Sequence, residues 1–591
     1  MDVVLAKIKA WPLFLLVMIC NFSFAEQASL ADSPQWRALL HYQTSPYPFS
    51  RQQFSQVADS EFFLDKNGKH DPEAELNANL QQLQSNKCRF PARTLWLAKQ
   101  TGQQITLEDC DELNDWLKQF ASDEVYLHFP SNYLNNPSSV FGHTFLRLHK
   151  RDRSALLDPI INYAAVSNTQ NPAKYIVSGL TGGFPGVFAM HPHYLKKREY
   201  TVTENREIWS YKIKLTQEEI NRFLLHFWEI KDRQFNYYFL NQNCSYQLMA
   251  LLDVAISDIS LLDEFHNVAL PIDTIKFLHN HQRLELANFH PSFIDEFRLH
   301  STTLNNAEKQ RVLALTQCPA SNVLEEDTGQ ILRLSSDYLE YLIQQDLRPR
   351  KCAHQQMAIL QKASKEKSYL PPVFPSPEVA PQDAHPSAKI GVGFQSVSGA
   401  LLNFRLGYHD LLDSIAGFKP GQEIILGDFA YDIERNKIAD YKLIGLKSLS
   451  ASDEFFQPLS WAFEISGRRY DDELNSALHH QVILGVGKSL QIGRGLAFVL
   501  LNTSLSYNRD SNTDVLLTPE FGYLYNGETI NSSQTLRIEM PASDWQEKRL
   551  VLASKQTVNF TNDVQLSFSA EWLHHDSYQQ GNIALSLSYL F

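Results

Sequence analysis

The chain has 591 residues and a formal charge of −13, from 53 Lys+Arg against 66 Asp+Glu. Hydrophobic residues at 43% and charged residues at 20% exclude wholesale disorder. The acidic balance, with no long Lys/Arg run, excludes nucleic acid as the main partner. At ~150 residues per domain the length points to about three or four domains. Aromatic residues reach 12%, with 36 Phe and 24 Tyr, more than a helical bundle needs.

The N-terminus reads as a targeting segment. Lys7 and Lys9 form a weak basic region, Ala10–Ile19 is apolar apart from Pro12, and Ser23-Phe24-Ala25 places small residues where a signal peptidase reads them. Cleavage is expected before Glu26. The run is shorter than the ~20 residues needed to span a bilayer, and Ile19 before Cys20 does not suit a lipobox. Loss of the signal leaves five cysteines, which in an exported protein tend to pair. Proximity suggests Cys88–Cys110 and Cys318–Cys352, leaving Cys244 over.

The mature chain opens with a helical domain over 26–120. Gln52–Leu64 and Asp71–Leu83 have helical spacing, Phe90-Pro91-Ala92-Arg93 interrupts, and Leu107-Glu108-Asp109 leads into a helix through Trp116 and Phe120. A mixed α+β domain follows over 121–290. Strands are predicted at Glu124–Phe129, His143–His149, Ile160–Ala165 and Ile208–Leu215, from alternation. Gly179–Gly186, with four glycines, reads as a mobile loop. Thr216 and Glu219 form a helix start with a capping box. Residues 291–370 are helical and polar, and 371–386, with prolines at 371, 372, 375, 377, 381 and 386, form a stiff linker.

From 387 to 591 the apolar period falls to 2. Ile583, Leu585, Leu587, Tyr589 and Phe591 share one face of the last strand; Asn582, Ala584, Ser586 and Ser588 share the other. Val564–Trp572 and Ala497–Tyr507 alternate in the same way, as do Ile425, Phe429, Tyr431 and Ile433 against Asp428 and Asp432. Segments of about ten residues, apolar outside and small-polar inside, are what an antiparallel outer-membrane β-barrel requires. Roughly ten to twelve such segments are expected, and the aromatic terminus fits a final barrel strand. A soluble β-sandwich is the alternative.

Three stretches carry candidate chemistry: Ser138–Arg147 around His143, Ile161–Ala165 with Asn162, and Asn241–Leu248 around Cys244, where an apolar helix begins. A thiolate at a helix start is stabilised by the unpaired N–H groups there. A histidine can take its proton and return it to a leaving group, and a third polar group can orient the imidazole. Cys244, His143 and Asn162 are the candidates for these roles. Backbone N–H groups near Cys244, with Asn243 and Ser245, are candidates to form or support an oxyanion site. A structural histidine and a buried inert cysteine are the bland alternatives. No metal site or cofactor motif is evident; His191 and His193 flank Pro192 without a supporting cluster.

The sequences SSVFGHTFLRL around His143, TGGFPG at 181–186, ENREIWSYKIKL at 204–215 and NQNCSYQLMALLD at 241–253 resemble the periplasmic domain of the Lnb family of bacterial lipoprotein N-acyltransferases and their relatives. CRFPAR at 88–93 and HDLLD at 409–413 are similar to features of multidomain relatives. The resemblance implies a circularly permuted papain-like fold, akin to the lecithin:retinol acyltransferase group, with His143 preceding Cys244. It also implies a thioester acyl-enzyme drawn from a membrane phospholipid and passed to a lipoprotein, another amine or water. The function expected is therefore an outer-membrane-associated cysteine acyltransferase or lipid-acyl hydrolase in the periplasm. A papain-like cysteine peptidase or amidase on peptide or peptidoglycan, and a non-enzymatic outer-membrane scaffold, are the alternatives.

Overall fold

The computed structural model describes residues 30–591 apart from 45–52, 133, 135–139, 168, 170, 266–267, 319–326, 367–370, 470–477, 508–512, 546 and 577. The signal segment 1–25 lies outside the described residues, as do Ser138 and Ser139. The chain divides into two compact units. One holds residues up to Asp123, Ile161–Met190 and Leu215–Ala269; the other holds Glu124–Ile160, His191–Lys214 and Leu270–Phe591.

In the first unit, helices Pro72–Gln81, Pro91–Thr101 and Asp111–Phe120 precede helices Pro172–Thr181, Gln217–Ile230 and Cys244–Ala255. The expected capping box is present: Thr216 accepts from Glu219 N–H, and the Glu219 carboxylate accepts from Thr216 N–H. Three expectations are corrected. Gln53–Ser55 is a strand paired with Tyr42–Thr44 and Ser60–Phe62 a 3-10 turn, so 52–64 is not a helix. The apolar spacing there serves a packing site instead, with Phe62 edge-on to Phe90 at 6.2 Å. Pro91 does not interrupt but opens a helix, because the first turn needs no N–H. Gly179–Gly186 is not a mobile loop. Asn171 caps the helix Pro172–Thr181, Gly182 ends it in the left-handed region (φ 75°), and Phe184–Pro192 is a strand paired with Gln234–Tyr237.

A buried ionic network ties the N-terminal segment to helix Gln217–Ile230. Arg93, wholly buried, lies 3.3 Å from Glu75 and 3.7 Å from Glu229. Glu75 accepts from the N–H groups of Leu64 and Asp65 and from Asn79. His226 bridges Glu229 (3.2 Å) to His41 (3.0 Å). Burial raises the Glu229 carboxyl to about 7 and lowers His226 to about 3. The disulfide Cys88–Cys110, with Cα atoms 5.2 Å apart, forms as expected, and Trp228 donates to the Cys88 carbonyl at 2.9 Å.

In the second unit, four antiparallel strands lie in the order Phe145–His149, Glu124–Pro130, Ile208–Ile213, Leu284–His290. Helices Phe293–Ser301, Asn306–Leu315, Gly329–Gln344 and Ala353–Ala363 build a core around Val312, Leu332, Leu339 and Ile359, stapled by Cys318–Cys352 with Cα atoms 6.0 Å apart. Phe455 and Phe456, from a barrel loop, complete that core, and Tyr338 donates to the Phe455 carbonyl at 2.5 Å.

Residues 389–590 form a closed antiparallel barrel of twelve strands. The first, Lys389–Gln395, pairs with Gly399–His409 on one side and with the last, Tyr578–Leu590, on the other. Closure pairs every edge, which is what a bilayer demands. The predicted alternation holds in the final strand: Ile583, Leu585, Leu587 and Tyr589 are each about half exposed on the outside, while Asn582, Ala584, Ser586 and Ser588 line the lumen. Val499, Leu501, Leu505 and Tyr507 also face outward. Ile425 departs from the pattern and is buried at 1%. The lumen is a narrow cavity of about 620 Å³ crossed by charge pairs, among them Lys442–Glu464 at 3.1 Å and Arg468–Glu571 at 2.7 Å.

The loop carrying HDLLD enters the end of the barrel where the chain arrives. Leu412 joins Leu449, Leu496, Phe498, Leu500 and Leu524 in an apolar plug, with Leu411 packed against it. Asn526 donates to the Leu411 carbonyl at 2.8 Å, Asn531 to those of Leu412 and Asp413 at 3.1 and 2.8 Å, and Gln565 to the Asp413 carboxylate at 3.2 Å.

Candidate functional site

Cys244 is the first residue of helix Cys244–Ala255, belongs to neither disulfide and is buried at 4% exposure. The helix starts there because Asn243 caps it: Asn243 Oδ1 accepts from the N–H of Ser245 at 3.1 Å and of Tyr246 at 3.2 Å. The Asn243 amide donates to the carbonyls of Phe239 (3.1 Å) and Ala269 (2.7 Å). The N–H of Ser245 and the amide of Asn243 are thus engaged in positioning the helix. The N-terminal segment grips the same helix. Gln56 donates to the Tyr246 hydroxyl at 2.9 Å and accepts from Gln247 at 2.6 Å, and Gln35 donates to the Val254 carbonyl at 2.8 Å.

Two phenols stand beside the thiol. Burial, reinforced by the charge of a Cys244 thiolate, holds the hydroxyls of Tyr163 and Tyr237 well above their usual pKa, so both stay protonated. Their rings stack at 5.7 Å. The Tyr163 hydroxyl is buried with no hydrogen-bond partner, and it sits where a Cβ on Gly186 would come within 2.0 Å. Glycine at 186, in the TGGFPG motif, is therefore a close-approach requirement of this hydroxyl. Asn162 is buried at 6%, and the strand pleat turns it to the face opposite Tyr163. Tyr163 and Tyr237 were not selected from the sequence, where an aromatic on a strand reads as ordinary core.

His143 lies in the second unit, buried at 8%, just ahead of strand Phe145–His149, which is two residues shorter than expected. Its backbone N–H donates to the Pro130 carbonyl at 3.2 Å, and its ring centroid is 5.9 Å from that of Tyr200. Arg206 of the ENREIW motif fixes the same turn: its guanidinium donates to the carbonyls of Ser131 at 2.6 Å and Pro130 at 2.7 Å. His193 is buried, and its Nδ1–H donates to the Ala155 carbonyl at 2.9 Å.

Among the described residues, one group has metal-ligand composition: His385, His409 and Asp413, with candidate ligand atoms within 4.8 Å of one another. Arg405 already meets Asp413 at 2.6 Å, and His385 Nε2 and His409 Nδ1 share a hydrogen bond at 2.9 Å. This set is satisfied from within the protein and locks the linker to the plug loop.

Residues 112–281 match the family model of the Lnb N-terminal periplasmic domain. Residues 378–590 and 28–100 match two domains of unknown function, DUF7840 and DUF7843. No curated protein matches the chain. Solved structures similar to it are a KdgM porin (10% identity, 34% of this chain and 99% of that one, TM-score 0.23), the NanC porin (7%, 35% and 100%, 0.24) and outer-membrane expressed OmpT of Vibrio cholerae (9%, 35% and 96%, 0.17). The family match and the closed barrel with its apolar exterior make this chain an exported outer-membrane protein that carries an Lnb N-terminal periplasmic domain.

Proposed function

We propose that this protein is a cysteine acyltransferase or lipid-acyl hydrolase of the periplasmic side of the outer membrane, with Cys244 as its nucleophile. The observation that carries this reading is the Cys244 thiol at the first turn of an asparagine-capped helix, beside two protonated phenols, within a segment that matches the Lnb domain. In this reading the fold of that domain is papain-like and circularly permuted. His143 takes the thiol proton, and Asn162 orients its ring. The thiolate attacks the ester carbonyl of a phospholipid; an S–C bond forms and the C–O bond to glycerol breaks. His143 returns the proton to the departing alkoxide, which leaves as lysophospholipid. A lipoprotein amine, another amine or water then attacks the thioester, giving up a proton to His143 as the thiolate leaves. Tyr163, whose hydroxyl proton has no partner at rest, supplies a hydrogen bond to the transient oxyanion. Asn243 and Ser245 support the site by fixing the helix start.

The barrel suits this chemistry, since a membrane tether keeps an active site at high effective concentration over a lipid substrate. The test is turnover of a fluorogenic phospholipid and of a matched peptide by the detergent-solubilised protein and by Cys244→Ala. Ester turnover lost in Cys244→Ala supports the proposal. Peptide turnover without ester turnover would replace it with the peptidase reading, and neither activity would favour a scaffold.

A further inference from the structure

Outside the cysteine site, the second unit displays an apolar patch framed by basic residues. Leu156 and Leu157, in the loop after strand Phe145–His149, are 50% and 62% exposed; Tyr194 and Leu195, in the helix His193–Arg198, are 45% and 46% exposed. Four large apolar side chains at this exposure on two short adjoining segments form a contiguous feature, unlike singly scattered surface residues.

The loop is held in this presentation. The Tyr194 N–H donates to the Leu156 carbonyl at 3.0 Å and the His193 N–H to the Asp158 carbonyl at 2.9 Å, while the His193 ring holds the Ala155 carbonyl. Asp158 is anchored by His149 at 2.7 Å and Arg147 at 3.7 Å. Backbone bonds on both sides of Leu156 and Leu157 keep these side chains facing out.

Six basic residues lie beside the patch, in a chain of net charge −13. Lys150, Arg151 and Arg153 flank the loop, and Lys196, Lys197 and Arg198 follow the exposed pair on the helix. The acids facing them are Asp152, Glu124, Glu199, Glu296 and Glu340. Two of the cations are paired while well exposed: Arg151, 77% exposed, lies 3.9 Å from Glu124, and Arg198, 56% exposed, lies 2.8 Å from Glu340. Such pairs contribute little, so these cations can exchange a carboxylate for a phosphate. The patch is also linked to the barrel by consecutive packing within one unit. The turn Glu199–Thr203 contacts helix Phe293–Ser301, and Arg298 of that helix pairs with Asp453 of a barrel loop at 2.7 Å.

We propose that Leu156, Leu157, Tyr194 and Leu195 form a membrane-docking surface that inserts among the phospholipids of the leaflet next to the barrel's plugged end, with the basic rim on anionic headgroups. Apolar side chains in the headgroup region with Lys/Arg around them are the requirements of interfacial binding. The inference deepens the lipid-substrate reading and rests on it for its purpose, though its test does not need turnover.

The full-length protein is reconstituted in nanodiscs of phosphatidylethanolamine and phosphatidylglycerol containing lipid with a nitroxide near the headgroup. A bimane label is placed by Leu157→Cys or Leu195→Cys in a Cys244→Ser background. Leu347→Cys, exposed at 58% in the same unit, is the negative control, and Leu484→Cys, at 61% on the barrel wall, is the positive one. The expected result is roughly twofold or greater quenching at 157 and 195 over 347, falling at about 1 M salt while quenching at 484 holds. Quenching at 157 equal to that at 347, or unaffected by both salt and removal of phosphatidylglycerol, would overturn the proposal. An acyl adduct on Cys244 of the wild-type protein, without quenching at 157 and 195 in the labelled variants, would sink the docking surface and spare the proposed activity; quenching without an adduct on the wild type would do the reverse.

Discussion

Asn243 holds Cys244 in place from both directions. Its carbonyl oxygen closes the first turn of the helix that Cys244 opens, and its amide is tied to the carbonyls of Phe239 and Ala269. Asn243→Ala removes the cap and both anchors, and the lost cap alone costs about 0.5–2 kcal/mol. Asn243→Asp keeps the acceptor but sets a carboxylate against two carbonyls, so it should be no better tolerated. Thermal unfolding and the rate of Cys244 alkylation check this. A wild-type alkylation rate in Asn243→Asp would show that the amide anchors do not position the thiol.

Tyr163→Phe separates catalysis from stability. Its hydroxyl is buried without a partner, so removal should leave Tm unchanged or slightly raised. If the hydroxyl meets the oxyanion, acylation should fall by roughly 10²–10³-fold, as for loss of one oxyanion donor. Gly186→Ala, which crowds the same hydroxyl, should reduce both acylation and stability. Unchanged acylation in Tyr163→Phe would assign the oxyanion contact elsewhere.

The ionic network of Arg93 makes a stability prediction. Arg93→Met leaves Glu75 and Glu229 buried without their cation and should cost about 3–5 kcal/mol. Glu229 also has a pH signature. Burial raises its carboxyl from 4.5 to about 7, so the folded state binds more protons than the unfolded state between those values. Its contribution is fully present below about 4.5 and is lost as pH rises through about 7. Glu229→Gln should therefore gain stability relative to wild type across that interval. Denaturation at a series of pH values checks both variants; a constant difference between Glu229→Gln and wild type would contradict the assignment.

The plug predicts a barrel that does not conduct. Leu411 and Leu412 fill its near end and three amide side chains hold their loop. The purified protein should show no steady current in planar bilayers, whereas Leu412→Asp with Asn531→Ala should leak. Steady wild-type conductance would contradict the plug.

The barrel was legible because lipid outside and a polar lumen force a strict period of 2, as in Ile583–Tyr589 against Asn582–Ser588. The disulfides were legible from parity and proximity. Gln52–Leu64 misled because its apolar spacing serves contacts with Phe90 and Arg93, which spacing cannot reveal. The glycines at 179–186 misled because composition cannot separate a helix stop and a close approach from a mobile loop, although Asn171-Pro172 was a readable helix start. Cys244 at a helix start was legible from the apolar run after it, whereas the capping role of Asn243 was not. Tyr163 was not, since its role depends on a thiol far along the chain. The purposes of CRFPAR and HDLLD likewise emerge only in three dimensions: Arg93 joins two carboxylates, and Asp413 anchors the plug.

The most direct test is intact-protein mass spectrometry after exposure of the reconstituted protein to phospholipid of defined acyl composition. Wild type should gain the mass of one acyl chain, mapped to Cys244 and released by hydroxylamine. Cys244→Ala should gain none. His143→Ala should acylate slower by roughly 10²–10⁴-fold, the usual contribution of general acid–base catalysis. Wild type that stays unmodified while lysophospholipid accumulates at the same rate in Cys244→Ala would contradict a thioester route through this cysteine.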